Sequence, residues 1–399
     1  MIRSPIQKLH VMFLLFTITF LMGMGVDLYV PSLPAIGNYF GVGSHAVQLT
    51  IGLYMLGYSV GQIFLGILSD RFGRKKILLI SGLFYTFISF SCVFSSDISS
   101  LIIYRFLQGI GIAGLGVVVR AVMVDCFSGL ELTKAMSCVS ASWALGPIVG
   151  PVIGGYLQHY FNWRANFYFF GFYGLFVFIY ALLALPETNL NKLSIRPVEI
   201  FINIKKLLWC PVFLFGAVLA SLAYSALVIF NAIGPFLIQK VLQYSAVEYG
   251  HMALFLGVGY LIGNFLNRIV ISYIEPTKVS LMAIILIVFV SIIMAFIAIT
   301  IGVNLYAILI PVFIIFILCG FIIPSIASKC IGLFPGIAGT TSALFGTILG
   351  GGVFVITSVV ATLKANTQLP LSLMYIGIFM VCLVLFLFCS KCEKRQAAD

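Results

Sequence analysis

The sequence predicts an all-α membrane protein: twelve transmembrane helices in two pseudo-symmetric six-helix halves. Three observations carry that expectation. First, 62% of the 399 residues are hydrophobic and only 8% are charged. Soluble domains carry about 25% charged residues, so a soluble enzyme, a disordered chain and a collagen-like chain are all excluded. Second, apolar runs bounded by polar, Pro or Gly residues divide the chain into twelve segments, each near the roughly 20 residues that cross a bilayer. Third, the cations gather on alternate connections, as the retention of Lys and Arg on the cytoplasmic side requires.

Span 1 is placed at 10–30. Arg3 and Lys8 precede an apolar run from Val11 to Val26, and Asp27 and Pro31 close it. A basic start before such a run is shared with signal peptides, but no small-x-small cleavage site follows, so the segment reads as an uncleaved span. Span 2 (46–67) ends at Gly66, before a short loop rich in cations. Span 3 (77–95) follows, then span 4 (99–123), which contains Arg105 and Arg120. Span 5 (134–157) contains Pro147 and Pro151, and span 6 (163–185) stops at Pro186. A basic connection with Lys192, Arg196, Lys205 and Lys206 then cuts the chain near its middle. The expected division is 1–188 for the first half, 189–208 for a cytoplasmic linker and 209–399 for the second half. Spans 7 to 12 are placed at 210–238, 246–270, 277–299, 303–323, 337–361 and 370–390. Pro31 and Pro235, Gly66 and Gly263, and Gly150 and Gly350 hold equivalent places in the two halves. Repeated halves with a substrate site between them are a known transporter plan.

With both termini inside, seventeen of the 22 Lys and Arg lie on inner pieces and two lie within span 4. Only Arg164, Lys240 and Lys364 lie outside. The net charge of +11 is therefore a topology signal, and basic loops also lie well against anionic lipid. No basic patch with interleaved aromatics suggests nucleic acid. The nine cysteines are scattered, mostly through apolar runs, which is no disulfide framework. Cys389 and Cys392 form a single CxxC; with no second pair and no His close by, it reads as a helix end rather than a metal site. No metal and no cofactor is expected.

Asp27 is the acid placed within a span rather than at an end or in a loop. A charge there is costly and tends to mark a proton or ion pathway, so Asp27 is the expected proton carrier; the bland reading is an interfacial Asp before the Pro31 turn. Arg105 lies at a similar depth in span 4, and Gln108, three residues on, shares its helix face. A guanidinium keeps its proton, so Arg105 could hold Asp27 charged, bind a substrate oxygen, or simply brace backbone carbonyls. Tyr54, Tyr58 and Gln62 follow at i+4 on span 2 and could line a cavity or a packing face. Asn231 in span 7 is a lone amide in an apolar run and a further cavity candidate.

The loop Gly66–Lys76 combines Gly66, Asp70, Arg71, Gly73 and Arg74. Asp70 could pair with Arg74 or sit at the positive N-terminus of a neighbouring helix, and Asp125 at the inner end of span 4 could be a second partner for Arg74; such a cluster can latch two halves in one state and release them in another, the bland reading being a plain cytoplasmic anchor. In span 5, Gly146, Pro147, Gly150, Pro151, Gly154 and Gly155 place small residues every four positions. That pattern permits close helix approach, and two prolines kink the helix. Gly52, Gly57, Gly61, Gly109, Gly111, Gly114 and Gly116 give spans 2 and 4 similar small surfaces.

At these residues the chain resembles the major facilitator superfamily. Gly66-x-Leu68-Ser69-Asp70-Arg71-Phe72-Gly73-Arg74-Lys75 matches the superfamily's loop 2–3 motif, and Arg105-x-x-Gln108-Gly109-x-Gly111 its span 4 motif. Gly146-Pro147-x-x-Gly150-Pro151-x-x-Gly154-Gly155 resembles the antiporter motif of span 5. Asp27-x-Tyr29-x-Pro31-x-Leu33-Pro34 and Ala338-Gly339-Thr340-Thr341-Ser342-Ala343-Leu344 resemble the twelve-span drug:proton antiporters, especially the bacterial Bcr/CflA group. The group often carries a Gln shortly after the span 11 motif, and Leu349 stands near that place. At Thr19 and Gly23 the chain lacks a second acid found in some multidrug relatives, and Gly263–Arg268 lacks the Asp of loop 2–3.

The resemblance implies a proton-coupled exporter of small amphipathic molecules in a bacterial inner membrane, acting as a monomer with substrate, protons and lipid as its partners. An exporter of one metabolite or siderophore on the same scaffold is the alternative, and a passive facilitator is a weaker one. An intramembrane enzyme would want paired acids, a Ser–His set or a metal cluster within the spans, and the sequence offers one acid.

Overall fold

The structure is a computed structural model that describes residues 5–189, 197–334, 337–363 and 366–396. Among the described residues it is helical throughout, with no strand. Twelve helices among these residues are long and apolar enough to cross a membrane: Ile6–Phe40, Ser44–Phe72, Arg74–Val93, Ile98–Cys126, Gly129–Tyr160 and Arg164–Ala184 in the first half, then Pro211–Val241, Ala246–Val270, Pro276–Thr300, Leu305–Gly332, Gly339–Ala361 and Leu369–Ser390 in the second. These are spans 1 to 12.

The ends of several helices are set by local chemistry. Asp97 opens span 4 with a capping box, its carboxylate accepting from Ser100 N and its own N–H donating to the Ser100 hydroxyl. Ser245 and Glu248 do the same for span 8. Each box satisfies first-turn N–H groups that no helix carbonyl reaches.

Span 1 differs from the expected 10–30. Pro31 does not end it; the chain passes through a 3-10 turn at Val30–Ser32 and continues as a short helix, Leu33–Phe40. Proline is tolerated at the first turn of a helix because its missing N–H is unneeded there, so the two prolines redirect the span without stopping it. Span 7 likewise runs on past Pro235 into a π-helical turn, Phe236–Val241. The linker contains a helix, Pro197–Leu208, with Lys205 and Lys206 in its last turn; Lys192 and Arg196 lie outside the described residues, as do Arg3 and Lys364.

Most helix contacts stay within a half, but two long seams join the halves: span 2 against span 11, and span 5 against span 8. Glycines make the seams close. Gly350 of span 11 sits against the Met55 carbonyl and Ser59 of span 2. Gly250 of span 8 sits against the Pro151 carbonyl, and Gly155 of span 5 against the Ala246 carbonyl. A side chain at any of these would press on the facing backbone. Gly57, Gly61 and Gly109 instead hold spans 2 and 4 together inside the first half.

Candidate functional site

Asp27 ends the first helix of span 1 and is only 8% exposed. Its carboxylate accepts a 2.7 Å hydrogen bond from the Asn231 amide of span 7, so the bond crosses between the halves. Two small central cavities meet at this carboxyl. One, of about 50 Å³, adds Asn231, Trp143, Pro147, Tyr224, Phe230 and Tyr260. The other, of about 60 Å³, adds Tyr54, Tyr58, Trp143 and Tyr224. The acid therefore stands in an aromatic chamber at the seam. Trp143, Tyr224 and Tyr260 were not singled out from the sequence, where each is one aromatic in a long apolar run.

Arg105 is fully buried, but among the described residues it makes no hydrogen bond to Asp27. It donates to the Gly25 carbonyl at 2.9 Å and to the Gln108 amide oxygen, and its guanidinium lies 4.3 Å from the Tyr29 ring centre and 4.1 Å from that of Tyr54. A shared depth fixes one coordinate only; the rotation of the two helices sends Arg105 to the backbone two residues before the acid. This is the bracing arrangement, reinforced by cation–π contact. Gln108 corrects an expectation as well. It is fully buried, donates to Ser89 at 2.7 Å, and stands behind Arg105, bordering neither of the two central cavities.

The Tyr54–Tyr58–Gln62 stripe is split. Tyr54 and Tyr58 border the chamber, whereas Gln62 borders a third cavity of about 530 Å³ that also meets Asp70, Arg74, Arg120, Asp125 and the start of span 11. This vestibule lies at the end of the bundle that carries loop 2–3. The opposite end is closed by bonds between the halves: Gln48 to the Ala232 carbonyl at 2.8 Å, Gln239 to the Pro31 carbonyl at 2.9 Å, and His45 Nδ1 to the Ala361 carbonyl at 2.9 Å.

The loop 2–3 cluster forms, with an addition. Arg74 pairs with Asp70, reaches Asp125 at 3.3 Å, and donates to the Ser69 hydroxyl at 3.0 Å. Its backbone N–H donates to the Glu187 carboxylate at 2.9 Å, and Thr188 donates to Asp125 at 2.9 Å. Glu187 was not anticipated; it follows span 6 with no motif to mark it. All these partners belong to the first half, so the cluster ties spans 2, 3, 4 and 6 to one another, and none of its bonds among the described residues latches the second half. The reason is proximity, since the ends of spans 4 and 6 flank the loop. Gly73 is required on two counts. Its φ is +103°, and a side chain there would strike the Glu187 carboxyl. Gly66 is under no such constraint, because an added methyl would meet Val117 at an ordinary 3.5 Å. Arg71 takes no part in the cluster and lies over the Phe72 ring at 5.3 Å.

Span 5 has two working faces. Gly146, Gly150 and Gly154 lie against the backbone of span 1 at Gly23 and Leu28, on either side of Asp27. Pro151 and Gly155 face span 8, and Pro147 and Pro151 both reach the chamber.

A twelve-helix bundle with an acid buried at the seam of two halves, a chamber around it and a vestibule at one end defines a multi-pass membrane transporter, not an enzyme. The chain belongs to the Major Facilitator Superfamily, whose model matches residues 15–357. An uncharacterized transporter of Rickettsia bellii is 27% identical over 85% of this chain and 86% of its own length. The bicyclomycin resistance protein homolog of Haemophilus influenzae is 29% identical over 61% of this chain and 62% of its own length. The multidrug resistance protein MdtL of Salmonella typhi is 25% identical over 67% and 68%. The match to another uncharacterized transporter, from Rickettsia felis, spans 60% of that protein's length. Among solved structures, a D-xylose-proton symporter superposes with a TM-score of 0.77 at 14% identity, covering 96% of this chain and 97% of its own. A bacterial homolog of the human lysosomal transporter Spinster gives 0.74 at 16% identity, covering 98% of each chain. Both likenesses concern the fold.

Proposed function

We propose that this transporter exports small amphipathic, drug-like molecules from the cytoplasm of a bacterium in exchange for protons. The observation that carries the reading is Asp27: a carboxyl 8% exposed, bonded across the seam by Asn231 and bordering both central cavities. An ionised group held away from water is costly. A carboxyl in this chamber therefore gains from taking a proton when one side is open and gives it up when substrate and water from the other side restore its solvation. Arg105 fixes the backbone beside the acid through Gly25 and so keeps the carboxyl at the seam. The drug-resistance names of the Haemophilus and Salmonella relatives favour export of drug-like molecules.

The basic loops face the cytoplasm across the inner membrane, both termini lie inside, and the vestibule is then the cytoplasmic mouth of a chain working as a monomer. The halves 1–188 and 209–399, joined by the 189–208 linker, rock about the two glycine-lined seams. The Asp70–Arg74–Asp125 cluster keeps the inner rim of the first half rigid during that motion.

The test is a pH-driven efflux assay in proteoliposomes with wild type and Asp27→Asn, together with growth of an efflux-deficient host on a compound panel with and without an uncoupler. Loss of pH-driven efflux in the variant is expected; efflux undiminished by the substitution sinks the proton role. Resistance to several unrelated compounds supports broad export, and secretion of one native product alone supports a single-metabolite exporter.

A further inference from the structure

Arg120 lies in the interior of span 4, half-buried, and faces the vestibule of about 530 Å³. Among the described residues no carboxylate is within ion-pair distance of it; Asp70 and Asp125, which also border the vestibule, are engaged by Arg74. Its one hydrogen bond among the described residues runs to the Gln62 amide oxygen at 2.6 Å. A guanidinium offers five N–H donors, so that bond leaves most of its donor capacity unused at the vestibule wall. Gln62 is fully buried. Because Arg120 can only donate, the amide oxygen must face it, and the Gln62 Nε2 is left buried with no partner. A buried donor without a partner is uncommon in a finished site.

The facing wall adds donors from the other half. Span 11 begins here, and Thr340 and Ser342 border the vestibule with hydroxyls that make no hydrogen bond among the described residues. The first-turn N–H groups of that helix have no side-chain cap and carry its positive dipole end. A methyl added at Gly339 would meet nothing within 4 Å, so the approach is open. The volume suits a drug-sized molecule.

We infer that the vestibule recognises an anionic group, a carboxylate, phosphonate or sulfonate on an amphipathic substrate, with Arg120 as the charge partner, the Gln62 amide as a second donor and the Thr340–Ser342 segment closing on it from the opposite half. The inference rests on the vestibule being the substrate's way in. It narrows the substrate class to organic anions, and it lets the bound anion draw span 11 towards span 4. A carboxylate accepts paired N–H bonds from a guanidinium in a geometry that no neutral amide matches.

The test uses the full-length protein in phosphatidylcholine nanodiscs at one pH, with no gradient, and two fluorescent probes: dansylglycine and its neutral counterpart dansylglycinamide. Dansylglycine is expected to bind at least about tenfold more tightly. Arg120→Gln brings the ratio close to unity, and Arg120→Lys, which keeps the charge but not the fork, retains part of it. Should Arg120→Gln fail to fold, Thr340→Ala with Ser342→Ala, which leaves Arg120 in place, is expected to lower the ratio severalfold. Equal binding of both probes by the wild type, or a ratio unaffected by both the Arg120→Gln and the Thr340/Ser342 variants, overturns the inference. Replacing part of the phosphatidylcholine with phosphatidylglycerol is expected to leave the ratio unchanged; loss of dansylglycine binding in proportion to the added lipid assigns the site to a headgroup and overturns the substrate assignment. Asp27→Asn is expected to retain the preference. Failure of proton-driven efflux with the preference intact therefore refutes the exchange reading alone, and proton-driven efflux without any preference refutes this inference alone.

Discussion

Asn231 on span 7 and Asp27 on span 1, 204 residues apart in sequence, share a 2.7 Å hydrogen bond at the seam between the halves. It is one of several bonds that cross the seam, but among the described residues it alone involves the buried acid.

Asn231→Leu keeps the bulk and removes the donor. A hydrogen bond to a carboxylate is worth roughly 1.5–3 kcal/mol, so the ratio of the state closed at the far end to the open one should fall by about tenfold or more. Cysteines placed at 45 and 361, where His45 now bonds the Ala361 carbonyl, report on that closure in a background free of other cysteines. Crosslinking at least several times slower in the Asn231 variant is expected; an unchanged rate shows that the bond does not hold the seam.

Arg74 and Arg71 are three residues apart yet should behave differently. Arg74→Ala leaves Asp70 and Asp125 without their cation and should lower stability by about 1–3 kcal/mol, read as an earlier thermal unfolding in detergent. Arg71→Ala removes only an exposed ring contact and should stay within about 0.5 kcal/mol of wild type. Equal effects would mean that the cluster is not what makes Arg74 matter.

The contrast shows what the chain reveals unaided. The twelve spans, their charge asymmetry and the Asp70–Arg74–Asp125 cluster were legible, because hydropathy is local and the loop is short. Asp27 stood out for the same reason, as a charge in an apolar run. Its partner did not: Asn231 was visible as a lone amide, but which distant helix faces it depends on the rotation of two spans about their axes, and hydropathy carries no such angle. The same missing angle lets Arg105 and Gln108 read as site residues, whereas Arg105 braces the Gly25 carbonyl and Gln108 holds Arg105 from behind. Glu187 was hidden differently. It reaches Arg74 N across 113 positions from a connection that has no pattern of its own.

Gly73→Ala is expected to destabilise by at least about 1–3 kcal/mol, since the backbone region it occupies is essentially reserved for glycine and the new methyl would displace Glu187 from Arg74 N. Gly66→Ala, by the open space beside it, should be nearly silent. Thermal unfolding of the two variants side by side decides the matter, and similar melting temperatures would contradict the geometry.

Substitutions on the two faces of span 5, and in span 8 opposite one of them, should separate by face. Gly154→Ala places a methyl on the Leu28 carbonyl inside the first half and should reduce folded yield, at a cost of about 1–3 kcal/mol or more. Gly250→Ala and Gly155→Ala press on the span 5–span 8 seam instead. They should leave the halves folded and slow the 45–361 crosslink. If Gly154→Ala changed crosslinking while sparing yield, the assignment of faces would be reversed.

Span 5 touches the backbone on either side of the acid with one face and the opposite half with the other, with Pro147 and Pro151 between. Pro147 cannot donate to the Trp143 carbonyl, nor Pro151 to that of Pro147, so this stretch of the rod bends more readily than its neighbours. A tilt of span 8 would therefore reach the floor beneath Asp27 across the width of a single helix, with no loop between to slacken it.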